Sequence, residues 1–221
     1  MKKRLVFLTM ISASYVTAVP AQDQGYYAGL GIGRSNANVA EISRQEVLDS
    51  GFNSLSAFQN GSSKSDTAWK IYGGYRFNPN IAAEFFYADL GKFSRDASGT
   101  GVTASSATLN FSLSSDLEIT GFGAAALLGA PLSERWNVFA KPGLFHWDAK
   151  RKSTTTVAGT AQSGSVSKSG TSPSLGVGTG YAFSDRLSAR IEWERYFDVG
   201  DKNTTDKSDV NLFALSVQFR P

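Results

Sequence analysis

Charged residues of both signs occur inside segments whose side chains otherwise alternate between apolar and small. The four most central are Glu84, Lys141, Arg190 and Glu192. By the two-residue period of a strand, all four fall on the face that carries most of the strand glycines. An isolated charge is costly to bury, so charges that share an enclosed face should pair, and we predict an ion-pair network here. Further charges of the same parity, expected closer to the strand ends, are Lys70, Arg76, Glu194 and Arg220.

Residues for other kinds of chemistry are sparse. The single histidine, His146, falls on the opposite, apolar face, and no serine stands two positions from it. A nucleophile needs its base within hydrogen-bond reach, so catalysis is disfavoured. Cysteine is absent, which excludes a thiolate metal site, and residues 176–180 lack the glycine spacing of a nucleotide loop. We therefore expect no catalytic residue, no cofactor and no metal site.

The segment 73–90 indicates which elements position the charges. Asn78, Pro79 and Asn80 form a predicted turn, because Pro79 fixes its own φ and keeps the preceding residue out of the helical region. Side chains alternate on both sides of this turn, which is the period of a strand and not of a helix. The segment is therefore predicted to be a β-hairpin with one apolar face and one face that carries charge.

The first residues have the layout of a secretory signal. Lys2, Lys3 and Arg4 precede a short apolar stretch and a small-residue cleavage site, which predicts a signal over 1–21 and a mature domain over 22–221. Removing three of the 22 basic residues leaves 19 against 19 acidic ones, so a nucleic-acid partner is not expected. No later stretch is apolar and long enough for a transmembrane helix, so a membrane form would have to be a closed β-barrel.

Eight strands are predicted, joined alternately by long loops and short turns. The strands are 26–35, 67–77, 81–90, 117–128, 136–150, 172–183, 187–199 and 210–221. The long loops are about 36–66, 91–116, 151–171 and 200–209. Antiparallel order places all the long loops at one end, as in outer-membrane barrels, whose periplasmic turns are short. The predicted fold class is all-β: an eight-stranded antiparallel up-and-down transmembrane β-barrel with both termini in the periplasm.

The strand glycines indicate which face is inside. A narrow lumen must mix small residues with large ones, whereas a water-exposed face has no need of glycines that weaken strands. The glycine and charge face is therefore predicted to line the lumen, and the bulky apolar face to contact lipid. The predicted lipid-facing residues are Leu30, Ile32, Ile71, Tyr75, Ile81, Phe85, Phe122, Leu128, Val138, Leu144, Leu175, Val177, Leu187, Ile191, Trp193, Phe213, Leu215 and Val217. A soluble ligand-binding barrel would reverse this arrangement.

Several segments together resemble one family. GGYRFNPNIAAEFFYADLG, GAPLSERWNVFAKPG, SPSLGVGTGYAFSDRLSARIEWERY and LFALSVQFR are similar to the eight-stranded transmembrane domain of the OmpA family. The resemblance implies a monomeric outer-membrane barrel with a plugged, water-containing interior and external loops used in adhesion, phage attachment or immune contact. It also implies that Glu84, Lys141, Arg190 and Glu192 occupy positions of inward charge. Leu127 and Gly180 stand where the family has charges, so we expect a thinner network.

Three further features depart from the family or from a regular strand. Barrels of this kind end in an aromatic residue that the insertion machinery recognises, whereas here Arg220 and Pro221 follow Phe219. Longer members continue into a peptidoglycan-binding domain that this sequence lacks, so no cell-wall tether is expected. Pro142 removes one ladder donor from the fifth strand, which predicts a local bulge.

The network allows two interpretations: a gate whose ion pairs swap partners to pass small ions, or a polar plug. The plug is favoured, because side chains typically fill eight-stranded lumens. The predicted function is a Gram-negative outer-membrane structural and surface-contact protein with at most a narrow ion path. The alternatives are a small porin-like pore and a lipid-modifying enzyme.

The expected partners are the lipid bilayer, lipopolysaccharide, the barrel-insertion machinery, and a host or phage ligand that the loops contact. Acidic loop residues could bind calcium or bridge lipopolysaccharide, although solvated surface charge is the commoner explanation. They are Glu41, Glu46, Asp49, Asp96, Asp201, Asp206 and Asp209. The identity of the loop ligand cannot be read from Ser-, Thr- and Gly-rich loops.

Overall fold

The computed structural model describes residues 24–201 and 207–221, so the predicted signal lies outside the described residues. Their regular elements are one short helix and nine strands. In chain order they are β1 Gly25–Ala37, α1 Arg44–Asp49, β2 Phe52–Ser63, β3 Ser65–Asn78, β4 Ile81–Thr103, β5 Thr108–Pro131, β6 Trp136–Val157, β7 Thr160–Ala182, β8 Leu187–Val199 and β9 Ser208–Phe219. Within this part of the chain, no helix is long and apolar enough to cross a bilayer.

Eight of the strands close into a ring of antiparallel neighbours. The hydrogen-bonded order runs β4-β3-β1-β9-β8-β7-β6-β5, and β4 also pairs with β5, which closes the barrel. The eight-stranded barrel predicted from the sequence is therefore confirmed. The extra strand, β2, lies outside the ring and pairs only with the far part of β4, from Ser63 opposite Ser94 to Phe52 opposite Thr103.

Short turns and both ends of the described chain share one end of the barrel, which we call the inner end. At the first turn, Asn78 Oδ1 accepts a hydrogen bond from the Asn80 backbone N–H at 2.9 Å, and the Asn80 side chain donates to the Gly129 carbonyl at 2.8 Å. The predicted turn at Asn78-Pro79-Asn80 is thus present, and it is linked to the neighbouring hairpin. Gly25, opposite Arg76, and Phe219, opposite Leu187, lie at the same end.

Three of the four predicted long loops are wrong in their conformation. Residues 91–116 and 151–171 are largely strand, and 36–66 contains α1 and β2. The β6–β7 connection is only Ala158-Gly159, whose φ values of 49° and 81° fit a two-residue primed turn. Residues 151–171 lack apolar alternation because both of their faces are largely exposed, so the sequence signal for a half-buried strand is missing although the ladder forms. Of the fourth loop, 200–209, residues 202–206 lie outside the described residues, and β9 already begins at Ser208.

The bulge predicted at Pro142 is also wrong. Gly143 pairs with Ala125 and Ala140 pairs with Leu128 in one unchanged register, so the missing donor interrupts the ladder without shifting it. Within the ring of eight strands, the register shifts lie instead between Arg76 and Asn78 in β3, between Asp89 and Lys92 in β4, and between Tyr196 and Val199 in β8.

The two faces of the barrel divide as the glycine pattern predicted. Apart from Tyr75, which is half-buried, every residue of the predicted lipid-facing set is exposed on the outer wall. The inner wall is less uniform than expected. Its charges lie in the half nearer the inner end, while the half nearer the outer end is packed with buried apolar side chains, including Leu90, Phe93, Ile119 and Trp147.

Beyond the barrel, β2, β4, β5, β6 and β7 continue outward as one sheet, which we call the outer sheet. β7 from Thr160 to Pro173 pairs only with β6, since its pairing with β8 begins at Ser174. α1 packs on one side of this sheet, where Val47, Leu55 and Phe111 belong to a second buried cluster. Its first turn is capped by Ser43, whose hydroxyl accepts from the Glu46 backbone N–H at 3.1 Å.

Candidate functional site: an ionic cluster inside the barrel

Six charged side chains meet inside the barrel, and each is at most 4 % exposed. We call them the ionic cluster: Lys70 on β3, Glu84 on β4, Lys141 on β6, and Arg190, Glu192 and Glu194 on β8. Successive side chains of a strand point to opposite faces, so the spacing of two on β8 sends all three of its charges inward. The cluster contains three cations and three anions, and it is therefore neutral.

Glu84 connects one side of the cluster. Its Oε2 lies 2.8 Å from Arg190 Nη1, and its Oε1 lies 3.1 Å from Lys141 Nζ. Arg190 also contacts Glu192 through Nη2. The four residues that the sequence placed in one network are thus in direct contact in this structure.

Lys70 and Glu194 belong to the same cluster, although the sequence suggested positions nearer the strand ends. Lys70 Nζ lies 2.9 Å from Glu194 Oε2 and also contacts Glu192. Lys141 reaches three carboxylates: Glu84, Glu194, and Glu192 at 3.4 Å. The cluster is therefore larger than the four residues named as most central, because strand tilt brings charges from different heights along their strands to one level.

Neutral polar side chains satisfy further atoms of the cluster. Tyr27 donates a hydrogen bond to Glu84 Oε2 at 3.3 Å, and Tyr196 donates to Glu194 Oε2 at 3.2 Å. Gln218 Oε1 accepts from Arg190 Nη1 at 3.3 Å. The sequence interpretation missed these three residues, although their inward parity was a usable signal.

Aromatic rings surround the cations. The guanidinium carbon of Arg190 lies 4.7 Å from the ring centroids of both Tyr72 and Phe139, and Lys141 Nζ lies 5.1 Å from that of Phe86. These are distances at which a cation is attracted to a ring face. The rings thus replace part of the hydration that the cations lose.

Small residues on β7 make room for the long side chains. A Cβ at Gly176 would lie 3.1 Å from Glu194 Cγ, and one at Gly178 would lie 2.5 Å from the Phe139 ring. At Gly180, a Cβ would lie 2.8 Å from Asn137 Oδ1. The narrow lumen therefore accommodates the cluster because one neighbouring strand has almost no side chains on this face.

An apolar section follows the cluster toward the outer end. Phe86, Phe145 and Tyr196 form its first layer, with centroids 6.0 Å apart for the two phenylalanines and 4.5 Å apart for Phe145 and Tyr196. The buried Ile119 and Trp147 lie beyond this layer on β5 and β6. An ion that left the cluster in this direction would enter surroundings with few polar partners, which is energetically costly.

The two remaining inward charges predicted from the sequence lie apart from the cluster. Arg76 Nη1 donates to the Pro79 carbonyl at 3.4 Å, close to the first inner turn. Arg76 and Arg220 line a small cavity at the inner end of the lumen together with Asn137, Ser188 and Gln218. Among the described residues, Arg76 makes no ion pair with the carboxylates of the cluster.

His146 lies on the outer wall, as its parity predicted. Its Nδ1 is 2.9 Å from Thr171 Oγ1, and its ring lies 5.0 Å from that of Phe122, centroid to centroid. No carboxylate hydrogen-bonds this ring among the described residues. Across residues 24–201 and 207–221, no group of three or more His, Asp or Glu side chains is arranged to hold a metal ion.

Comparisons with known proteins agree with this architecture. The model of the OmpA-like transmembrane domain matches residues 21–221. Outer membrane protein A of Salmonella typhi is 25% identical over 224 residues, which cover 100% of this chain and 55% of the relative. The protein of the same name from Shigella dysenteriae is 24% identical over the same length, with 56% of it covered. The chain thus spans about half the length of these relatives.

Similar solved structures include the following two. Neisserial surface protein A is 14% identical, with a TM-score of 0.48 over 89% of this chain and 97% of that one. Ail of Yersinia pestis, the attachment invasion locus protein, is 14% identical, with a TM-score of 0.45 over 89% and 99%. The matched family model, together with the closed ring of strands, shows that this chain belongs to the OmpA-like transmembrane domain family of bacterial outer-membrane β-barrel proteins.

Proposed function

We propose that this protein is a structural outer-membrane barrel with a sealed lumen, and that it makes contacts at the cell surface through its outer sheet. The observation that carries this proposal is the length of the central strands. β4, β5 and β6 contain 23, 24 and 22 residues. A tilted strand needs only about 9–11 residues to cross a membrane. Roughly half of each strand therefore extends beyond the bilayer.

The outer sheet is supported as an ordered surface by its own contacts. The β5–β6 ladder continues without a register shift out to Phe111 opposite Val157. On its outer face, Asp116 accepts a hydrogen bond from Ser94 Oγ at 2.7 Å and lies 3.3 Å from Lys92 Nζ. An ordered surface loses less conformational entropy on binding than a flexible loop of the same length, which suits a contact role.

The lumen supports a structural role rather than transport. The ionic cluster is neutral and each of its charges has at least one partner of opposite sign, and the apolar section of Phe86, Phe145 and Tyr196 lies directly above it. Both layers would have to open together for an ion to pass. Side-chain filling of this kind is typical of eight-stranded barrels.

A narrow ion path is the second candidate, and one observation favours it. Lys141 Nζ already contacts Glu84, Glu192 and Glu194, so a small side-chain movement could exchange its partners. Planar bilayer recordings separate the two candidates. If the ion path is real, Arg190→Ala should change the single-channel conductance, whereas the sealed lumen leaves both proteins at the baseline of the bare bilayer.

Catalysis is not part of the proposal. His146 faces a threonine hydroxyl and an aromatic ring, and a base without an orienting carboxylate is a poor activator of a nucleophile. If the protein modified lipids, His146→Ala would abolish that activity. We expect the variant and the parent protein to leave lipid A equally unmodified in mass spectra of extracted lipids.

Trimming the outer sheet tests the contact role directly. Removal of residues 151–157 and 160–166 would place Ala158-Gly159 between Lys150 and Ser167, which already face each other across the β6–β7 ladder. The barrel should still insert and keep its heat-modifiable gel mobility. We expect cells that carry the trimmed protein to lose the attachment to host cells, matrix or phage that the full protein confers.

The matched control is Lys168→Ala, which alters a charge at the base of the hairpin without shortening it. Undiminished attachment by the trimmed, correctly inserted protein would contradict the contact role. Contacts with lipopolysaccharide and with the insertion machinery remain proposals, which the same strains can test by cross-linking.

A further inference from the structure

The inner end of the lumen contains a cavity with an unusual polar lining. Three arginines, two amide side chains and a hydroxyl contribute to it: Arg76, Arg190, Arg220, Asn137, Gln218 and Ser188. Among the described residues that line it there is no aspartate or glutamate. The lining is therefore rich in hydrogen-bond donors, and its cations include Arg76, which lies outside the neutral ionic cluster.

Arg76 has incomplete hydrogen bonding within the described structure. Its Nη1 has one long bond, 3.4 Å to the Pro79 carbonyl. Its Nε is buried and has no hydrogen-bond partner within the described structure. The ionisable groups near it include two further cations, Arg220 and Arg190, and the phenol of Tyr27.

An anion would give the buried Arg76 Nε an acceptor and would also offset the charge of Arg76. An oxyanion accepts two parallel bonds from a planar guanidinium, and such charge-assisted bonds are stronger than neutral ones. Gln218 contributes as well, since its Oε1 accepts from Arg190 and this leaves its amide N–H groups as donors. Ser188 and Asn137 provide further neutral donors at the wall.

We propose that the inner end of the lumen is a binding site for a small tetrahedral oxyanion of the phosphate type, with Arg76 as its principal ligand. The phosphate can come from solution in the periplasm or from the headgroup of a lipid in the inner leaflet. The site is independent of the outer sheet, because it lies at the opposite end of the barrel.

Calorimetric titration with inorganic phosphate tests the site. The full chain is folded in a maltoside detergent, which contains no phosphate, and the ionic strength is held constant with chloride. Saturable binding is expected, and Arg76→Gln should weaken it about tenfold or more, as expected for the loss of a charge-assisted pair of bonds. Arg76→Lys keeps the charge without the planar fork and should give an intermediate affinity.

Arg135→Gln is the matched control. Arg135 lies at the same end of the barrel in an exposed turn and is not part of the cavity wall. Its loss should leave the affinity within about twofold, since an exposed charge in high dielectric contributes little. If Arg76→Gln fails to fold, Asn137→Ala removes a neutral donor from the wall and should still weaken binding.

A second arm distinguishes the source of the phosphate. The same titration is repeated in micelles that contain phosphatidylglycerol. Weaker apparent binding of inorganic phosphate would show that the lipid headgroup competes for the site, and unchanged binding would assign it to phosphate from solution. The proposal is overturned if the parent protein shows no saturable binding, or if Arg135→Gln weakens binding as much as Arg76→Gln.

Discussion

Removing Arg190 should destabilise the barrel more than any exposed charge removal, because it breaks a neutral and buried set of charges. Arg190 pairs with Glu84 at 2.8 Å and with Glu192, and its side chain is 4 % exposed. Arg190→Met leaves two cations against three anions. Leaving a buried charge without its partner in this way typically lowers the free energy of unfolding by about 3–5 kcal/mol. We expect a loss of that size in the free energy of unfolding.

A second substitution should recover much of that loss. Arg190→Met combined with Glu84→Gln leaves Lys70 and Lys141 against Glu192 and Glu194, so the cluster is neutral again. The double variant should therefore be more stable than the sum of the two single losses predicts, with a coupling of about 0.5–3 kcal/mol or more, as found for residues in one network.

The assay is urea unfolding of the protein in lipid vesicles, followed by tryptophan fluorescence and by heat-modifiable gel mobility. Arg186→Met is the control, since Arg186 lies exposed in the β7–β8 turn. It should change the free energy of unfolding by no more than about 0.5 kcal/mol. An Arg190→Met loss below about 1 kcal/mol, or strictly additive single and double variants, would refute the pairing.

Three further outcomes follow from particular contacts. Phe145→Ala removes a fully buried ring of the apolar section and should cost about 3–5 kcal/mol in urea unfolding, whereas a loss below 1 kcal/mol would mean that this section is loosely packed. Gly159→Val places a β-branched residue at φ 81° and should loosen the β6–β7 turn, seen as faster protease cleavage at its tip, although open space surrounds the position. The hydrogen bond from Ser94 and the charge of Lys92 hold the pKa of Asp116 below its ordinary value. The ionised Asp116 therefore stabilises the outer sheet fully at a pH above the ordinary pKa, and this stabilisation is lost as the pH falls through the lowered pKa. Ser94→Ala should therefore reduce the acid-induced rise in proteolysis of the outer sheet, and an identical pH profile in both proteins would contradict this assignment.

The sequence was sufficient for the barrel and for its two faces. In a strand that faces lipid on one side and a crowded lumen on the other, apolar and lumen-facing side chains alternate with a period of two. Phe85 and Glu84 are an example of this alternation. The outer ends of the strands could not be predicted from the sequence. Segments such as 151–171 have water on both faces, so their side chains carry no alternation although their backbones pair.

The alternation of side chains along the strands predicted which charged residues face the lumen, but it did not predict which of them are in contact. Lys70 lies eight residues from the end of β3 at Asn78, and only the stagger of the closed barrel brings it to Glu192 on β8. The inward position of Phe93, near the outer end of the lumen, was missed for a related reason. The register shift between Asp89 and Lys92 changes the parity of β4, so Phe93 faces inward contrary to a simple count along the strand.

The conductance of the unaltered protein is the most direct test of a sealed lumen. The protein is reconstituted at single-molecule density in planar bilayers and recorded alongside Arg190→Ala and Phe145→Ala. Our account predicts no discrete current steps above the baseline of the bare bilayer for the parent protein. Reproducible steps whose size changes in Arg190→Ala would show that ions cross the cluster, and would contradict it.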